Sequence, residues 1–360
     1  MKIGVPKEIK NNEFRVGLTP DSVGKLSSNH KIYVERNAGE AIGFTDEMYR
    51  DNGAEILNEA SSVFDESELI VKVKEPLPEE NYFLSEKHTL FTYLHLAGNK
   101  ENAKKLIDTG VKGVAYETVT SDDGSLPLLA PMSKIAGHIS LVVGQYFLLK
   151  PNKGIGTLFG NFEKIQAREV SVVGAGVAGK EAISKGIDLG AHVNVLDISD
   201  QKLKDLEKKF GTDNVSYIHS TPESISDAIS RSDLVIGSVY VVGKEAPKVI
   251  TREMLTNMKP GSVLVDISID QGGCIETSRP TTHDDPVFIE ENVVHYCVTN
   301  MPGAVPLTAT LALNNATLPY IQSIADLGLE KACSIDKNLA NGLNMANGEV
   351  RHPSVESALK

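Results

Sequence analysis

The chain has 360 residues, 41% of them hydrophobic, and a formal net charge of -12 with no basic block, which suits two domains with substantial cores and argues against a nucleic-acid partner. No run of about eighteen apolar residues is present, and the start Met1-Lys-Ile-Gly-Val-Pro6 reads as a strand, so neither a membrane span nor a signal peptide is expected. Three cysteines, Cys274, Cys297 and Cys333, show no CxxC spacing, which fits a reducing cytoplasm and no structural zinc.

In chain order, the pattern predicts strands at 2–6 and 31–35 around a helix at 20–26, then strands at 69–73, 89–94 and 113–117. A long apolar-periodic segment, 132–149, reads as a helix, and a stretch rich in Gly, Asn and Lys at 151–160 interrupts the pattern. A regular βαβ rhythm follows, with strands at 170–173, 192–196, 215–218, 233–237 and 262–267. After Pro302-Gly303 the pattern turns helical, through 308–327 and a short amphipathic tail. The C-terminal segment holds too few strands for another sheet, so its helices are expected to pack on the N-terminal domain. The fold class is therefore α/β, with two Rossmann-like parallel-sheet domains. Residues 1–128 plus 307–360 form a substrate domain, and residues 129–306 a nucleotide-binding domain inserted in it.

The most specific motif is Gly174-Ala175-Gly176-Val177-Ala178-Gly179, between a strand-like segment and a helix-like one. Gly174, Gly176 and Gly179 permit a tight turn and close backbone approach to a pyrophosphate, which the helix N-terminus would face. Asp197 closes the next strand at about the twenty-residue offset at which a carboxylate meets the adenosine ribose hydroxyls. Such an acid repels a 2′-phosphate, which favours NAD over NADP.

Other polar residues sit at the ends of buried-looking strands. Arg15 presents a fork suited to a carboxylate, although position alone favours a surface loop arginine. Alternation puts Lys72 and Lys74 on one face, either as carboxylate or carbonyl ligands or as edge lysines with snorkelling ammonium groups. His95 ends another strand and reads either as a proton-transfer group or, more commonly, as a satisfied core histidine. In Val263-Leu-Val-Asp266-Ile-Ser-Ile-Asp270-Gln-Gly-Gly273, Asp266 suits backbone hydrogen bonds and Asp270 lies nearer the cofactor crevice. Asn300-Met-Pro-Gly-Ala-Val-Pro306 reads as a rigid link or hinge. No nucleophile motif, HExxH or metal-ligand spacing is present.

Taken together, Lys7-Glu-Ile-Lys-Asn-Asn-Glu-Phe-Arg15-Val-Gly-Leu-Thr-Pro20, Lys72-Val-Lys74-Glu-Pro76 and Leu94-His95-Leu-Ala97 resemble the alanine dehydrogenase family. So do Leu129-Ala-Pro-Met-Ser133, the 266–273 segment and the 300–306 segment, in order and over essentially the whole chain. The resemblance implies reversible, NAD-dependent oxidative deamination of L-alanine to pyruvate and ammonium by a cytoplasmic homo-oligomer, a hexamer. It implies that Arg15 and Lys74 bind the substrate carboxylate and keto oxygen, and that His95 and Asp270 are the acid/base pair. For the cofactor it points to Ser133, Val177, Ala178, Asp197, Lys202, Ser220, Val239 and Tyr240. It adds Ile267, Ser268, Ile269 and Asp270, then Arg279, Val298, Thr299, Asn300 and Met301. Two departures from the family pattern are Gly160-Asn-Phe-Glu-Lys-Ile165, which lacks a glycine-rich form, and Leu307-Thr-Ala-Thr310, where relatives carry a basic residue first. Two related readings stay open: a saccharopine-type or carboxyalkyl-amino-acid dehydrogenase, and a non-catalytic, NAD-binding transhydrogenase-like domain. Arg15, Lys74, His95 and Asp270 together speak against the latter, which needs only the glycine cradle.

Overall fold

Each of two compact units, Met1–Met132 with Val305–Lys360 and Ser133–Ala304, is built on its own mostly parallel sheet. The computed structural model describes residues 1–98, 100–241 and 245–359. Among them no helix is long and apolar enough to cross a membrane.

In the first unit, β1 (Lys2–Val5), β2 (Lys31–Glu35), β3 (Ala54–Leu57), β4 (Leu69–Val71), β5 (Thr89–Thr92) and β6 (Lys112–Ala115) lie in the order β6-β5-β4-β1-β2-β3. All these pairs are parallel. The chain runs outward from β1 to β3 and then returns to the other flank of β1 at β4. That reversal opens a crevice beyond the carboxyl ends of the central strands, where α/β sheets bind ligands. Ile3, Val5, Leu69, Ile70, Val71, Leu90 and Phe91 are fully buried. Burial on both faces is why β4 reads as an unbroken apolar run rather than an alternating one. Each such side chain contributes roughly 1.5–3 kcal/mol on leaving water.

The second unit repeats the arrangement. Its strands are β7 (Glu169–Val173), β8 (His192–Asp197), β9 (Val215–His219), β10 (Leu234–Gly237), β11 (Val263–Asp266), β12 (Val287–Glu290) and β13 (Val293–Tyr296). They form the order β12-β13-β11-β10-β7-β8-β9, with β12 antiparallel on the edge. The reversal here falls between β7 and β10.

The structure adds β3, β12 and β13, which the sequence reading leaves out, ends β4 at Val71 rather than 73, and corrects the reading elsewhere. After the helix Pro306–Leu327, the expected amphipathic tail contains β14 (Leu343–Ala346) and β15 (Glu349–Val350). β14 joins β6 antiparallel and β15 follows it at the edge. Tertiary packing sets that pairing: Met345 is buried with Leu90, Leu94 and Leu106, and the Asn344 amide donates to Thr118 Oγ1 at 2.6 Å. Strands β5 and β6 also end early, at Thr92 and Ala115. Residues 93–95 therefore form a loop, and Tyr116–Thr118 a 3-10 turn, at the mouth of the first sheet.

Candidate functional site

In the second unit, β7 feeds Gly174 and the helix Val177–Asp188. Gly174 has φ +99°, and a Cβ there would come within 2.8 Å of the Ser238 carbonyl. A Cβ on Gly179 would meet the Gly174 carbonyl oxygen at 2.0 Å. Both positions need glycine. Gly176 differs, because a Cβ would meet nothing within 4 Å. Gly176 also caps the helix without any side-chain hydrogen bond to the first N–H groups. Open backbone, waiting donors and the helix dipole together fit a pyrophosphate. The helix Ala130–Leu148, which carries Ser133, approaches this turn closely: a Cβ on Gly137 would lie 2.2 Å from the Ala178 carbonyl oxygen. Nothing in the sequence marks Gly137, since its partner lies on a different helix.

Asp197 ends β8 and is 6% exposed. Its Oδ2 accepts the Ala175 N–H at 2.8 Å and its Oδ1 the Ser199 N–H at 2.9 Å. Each oxygen keeps lone-pair capacity for a ribose hydroxyl. Lys202 Nζ stands 3.7 Å from Oδ2, and the Ser220 N–H donates to the Asp197 carbonyl at 3.0 Å. Past β10, Ser238 Oγ donates to the Gly174 carbonyl at 2.6 Å, and Ser268 Oγ to the Val239 carbonyl at 2.7 Å. Tyr240 is exposed. The mouths of β7, β8, β10 and β11 thus gather the named residues.

Beyond β11 the two carboxylates separate. Asp266 is fully buried and accepts from the Ser268, Cys274 and Ile275 N–H groups and from Ser278 Oγ at 2.7 Å. Burial raises its carboxyl above the ordinary carboxylate range, against those hydrogen bonds. Past Ile267, Ser268 and Ile269, Asp270 is exposed on a short turn. Val298 bridges Thr281, the Thr299 N–H donates to the Thr281 carbonyl, Asn300 takes φ +61°, and Met301 is buried. Arg279 instead places its guanidinium 4.1 Å over the Phe288 ring of edge strand β12, a cation–π contact. Among the described residues, no group of three or more His, Cys, Asp or Glu side chains is arranged to hold a metal.

In the first unit, Arg15 is only 2% exposed, not the surface loop arginine that its sequence position favours. The segment is pinned by the helix Pro306–Leu327: Asn314 donates to the Gly17 carbonyl at 3.0 Å, and the Val16 N–H donates to Thr310 Oγ1. Glu13 takes the side-on edge of the guanidinium, from Nε at 2.7 Å and from Nη2 at 2.5 Å, while Nη1 faces Met132 Sδ at 3.2 Å. Glu13 holds the guanidinium above the ordinary arginine range although burial pulls it down.

Lys72 is not an edge lysine, because β4 lies inside the sheet between β1 and β5. Its ammonium is fully buried, 2.7 Å from Glu80 Oε1 and 3.2 Å from Glu8 Oε2. Burial lowers its pKa, yet the two carboxylates together hold it above the ordinary range. Glu8 also accepts the Val73 and Lys74 N–H groups, so it joins the segment after β1 to the segment after β4. Lys74 is 8% exposed, and its carbonyl accepts from Thr92 Oγ1. The neighbouring Glu75 carboxyl lies below the ordinary range despite burial, because Lys74, His95 and Lys10 face it.

His95 is exposed, three residues beyond β5, and not the buried core histidine that is the commoner reading. Its ring stacks on Tyr93 at 5.7 Å between centroids, 14° from parallel. Its backbone has φ +44°, and the Glu117 carboxylate accepts its N–H at 2.7 Å. Arg15, Lys74 and His95 therefore all stand on segments leaving the carboxyl ends of β1, β4 and β5.

Comparison with known proteins agrees with this architecture. The family descriptions "Alanine dehydrogenase/PNT, N-terminal domain" and "Alanine dehydrogenase/PNT, C-terminal domain" match residues 4–136 and 140–353. An alanine dehydrogenase of Staphylococcus haemolyticus is 49% identical over 360 residues, covering 99% of this chain and 96% of its own. One of Mycolicibacterium smegmatis is 45% identical, covering 100% and 97%. A solved L-alanine dehydrogenase superposes with a TM-score of 0.95 at 45% identity, covering 99% of both chains. A transhydrogenase from Sinorhizobium meliloti shares the fold, at TM-score 0.83 and 24% identity over 98% and 100% of the two chains. The chain belongs to the alanine dehydrogenase/PNT family.

Proposed function

We propose that this protein is an NAD-dependent L-alanine dehydrogenase that converts L-alanine, NAD and water reversibly into pyruvate, ammonium, NADH and a proton. One observation carries the reading. A chain of this family combines a glycine cradle and strand-end acid in one unit with Arg15, Lys74 and His95 at the equivalent strand ends of the other. The cradle fits a dinucleotide, with Gly174, Gly176, Val177, Ala178 and Gly179 on the pyrophosphate and Asp197 on the adenosine ribose. Ser133, Lys202, Ser220, Val239, Tyr240, the 267–270 strand end, Arg279 and the 298–301 segment complete its surroundings in this reading. Bound NAD supplies the hydride acceptor.

The chain's own residues then do the rest. Arg15 and Lys74 hold the substrate carboxylate and orient the Cα–H, since hydride transfer needs near-contact geometry. With the substrate nitrogen deprotonated to the free amine, loss of hydride from Cα leaves an iminium. His95 takes a proton from the attacking water and returns one to the departing amine. Asp270 offsets the charge of the cationic nitrogen and helps orient the water.

The reading extends to a cytoplasmic homohexamer serving L-alanine catabolism. Val142, Tyr146 and Leu149, with Leu158, Phe162 and Ile165, expose apolar surface of a kind that a second copy covers. The free thiols Cys274, Cys297 and Cys333 suit a reducing compartment.

The wild-type protein is expected to form NADH from NAD and L-alanine. In the same assay, Asp197→Ser should raise the KM for NAD by about 10- to 100-fold, the worth of one or two charge-assisted hydrogen bonds. It should also admit NADP, because the repelling carboxylate is gone. Unchanged NAD/NADP selectivity would show that Asp197 does not meet the ribose.

A further inference from the structure

We propose that Glu117 is a positioning residue for His95, fixing the left-handed backbone that aims the imidazole; the inference rests on His95 being the acid/base group. His95 has φ +44°, a region that residues with a side chain rarely adopt. Most other non-glycine residues with positive φ in the described chain are asparagines, whose short side chains tolerate it. His95, like Lys153, Lys164 and Glu291, is not one of these, and at a proton-transfer position the cause that holds the conformation decides where the ring lies.

Glu117 supplies that cause. Its Oε1 accepts the His95 N–H at 2.7 Å, and its two oxygens share the Leu94 N–H at 3.1 and 3.2 Å. Two successive N–H groups converging on one anion form a backbone nest, and here the anion is a side chain of the same unit. The topology brings the groups together: β5 pairs with β6 in the register Thr92–Ala115, so the turn holding Glu117 lies beside the loop holding His95. The ring is fixed separately, stacked on Tyr93, whose hydroxyl donates to the Leu128 carbonyl at 2.6 Å. Backbone strain of this kind persists only where surroundings over-determine it. Without the carboxylate the two N–H groups lose their acceptor, φ relaxes to negative values, and the Cβ–ring vector swings away.

The test is a double-mutant cycle on the full-length protein in the pyruvate, ammonium and NADH assay. Glu117→Ala should lower kcat by about 10- to 100-fold, the scale of a misplaced catalytic group, with the KM values for pyruvate and NADH little changed. Glu117→Gln, which keeps an acceptor oxygen, should recover most of that loss. In a His95→Ala background, Glu117→Ala should cost no further kcat, since Glu117 acts only through His95. Wild-type kcat in Glu117→Ala, or an equal extra loss in the His95→Ala background, would overturn the proposal. If Glu117→Ala does not fold, Glu117→Asp, with its carboxylate withdrawn by one methylene, carries the same cycle. A loss there that vanishes in the His95→Ala background supports the proposal, and no loss or a persistent one overturns it. Near-wild-type turnover in His95→Ala alone would instead sink the acid/base reading itself.

Discussion

His95→Ala is expected to lower kcat by about 10²- to 10⁴-fold, the usual contribution of a positioned general acid–base group. The imidazole is exposed beyond β5, stacked on Tyr93 and held by Glu117 through its backbone. Among the described residues, no hydrogen bond from its ring to a core group explains it. Alanine removes the group that takes the water's proton and leaves Arg15 and Lys74 to bind the substrate carboxylate. NADH binding, followed by fluorescence, should stay nearly intact, because the glycine cradle belongs to the other unit. Near-wild-type turnover in this variant would end the acid/base assignment.

The largest effect on stability is expected at Lys72, which has no proposed part in the chemistry. Its ammonium is fully buried between Glu8 and Glu80. Lys72→Ala leaves two carboxylates in the interior without their cation, and removing one partner of a buried ion pair costs about 3–5 kcal/mol. Glu8 is the more exposed to that change, since burial already holds its carboxyl above the ordinary range with Lys72 opposing. Urea denaturation should show an unfolding free energy lower by that amount, with a lower midpoint, while the folded fraction keeps its KM for pyruvate. A loss under about 1 kcal/mol would place Lys72 with surface pairs of little worth.

The legible parts of this chain were those in which the physics is local. The turn at Gly174–Gly179 and the acid at Asp197 could be read because steric need and register fix both within one βαβ unit. The buried runs 69–71 and 263–266 were legible for a similar reason: a strand covered on both faces must be apolar throughout. What escaped depends on partners distant in sequence. β14 contains a buried Asn whose hydrogen-bond partner is Thr118, and the two-residue β15 exists only because β14 is there to pair with. Lys72 reads locally either as a carboxylate or carbonyl ligand or as an edge lysine, and nothing near it announces Glu8, beyond the neighbouring strand β1, as a counter-ion. Arg15 is a middle case. Glu13 was visible two residues away, but its geometry follows from burial under the helix Pro306–Leu327. Glu117 was hidden because its role is to hold another residue's backbone, which residue type does not reveal.

The most direct test of the account is NADH oxidation by the purified protein with three mixtures: pyruvate plus ammonium, pyruvate plus lysine, and pyruvate with no amine. Rapid oxidation with ammonium, slight oxidation with lysine and none without amine is the expected result. Oxidation that required lysine, or that ran equally without any amine, would contradict the assignment as an L-alanine dehydrogenase.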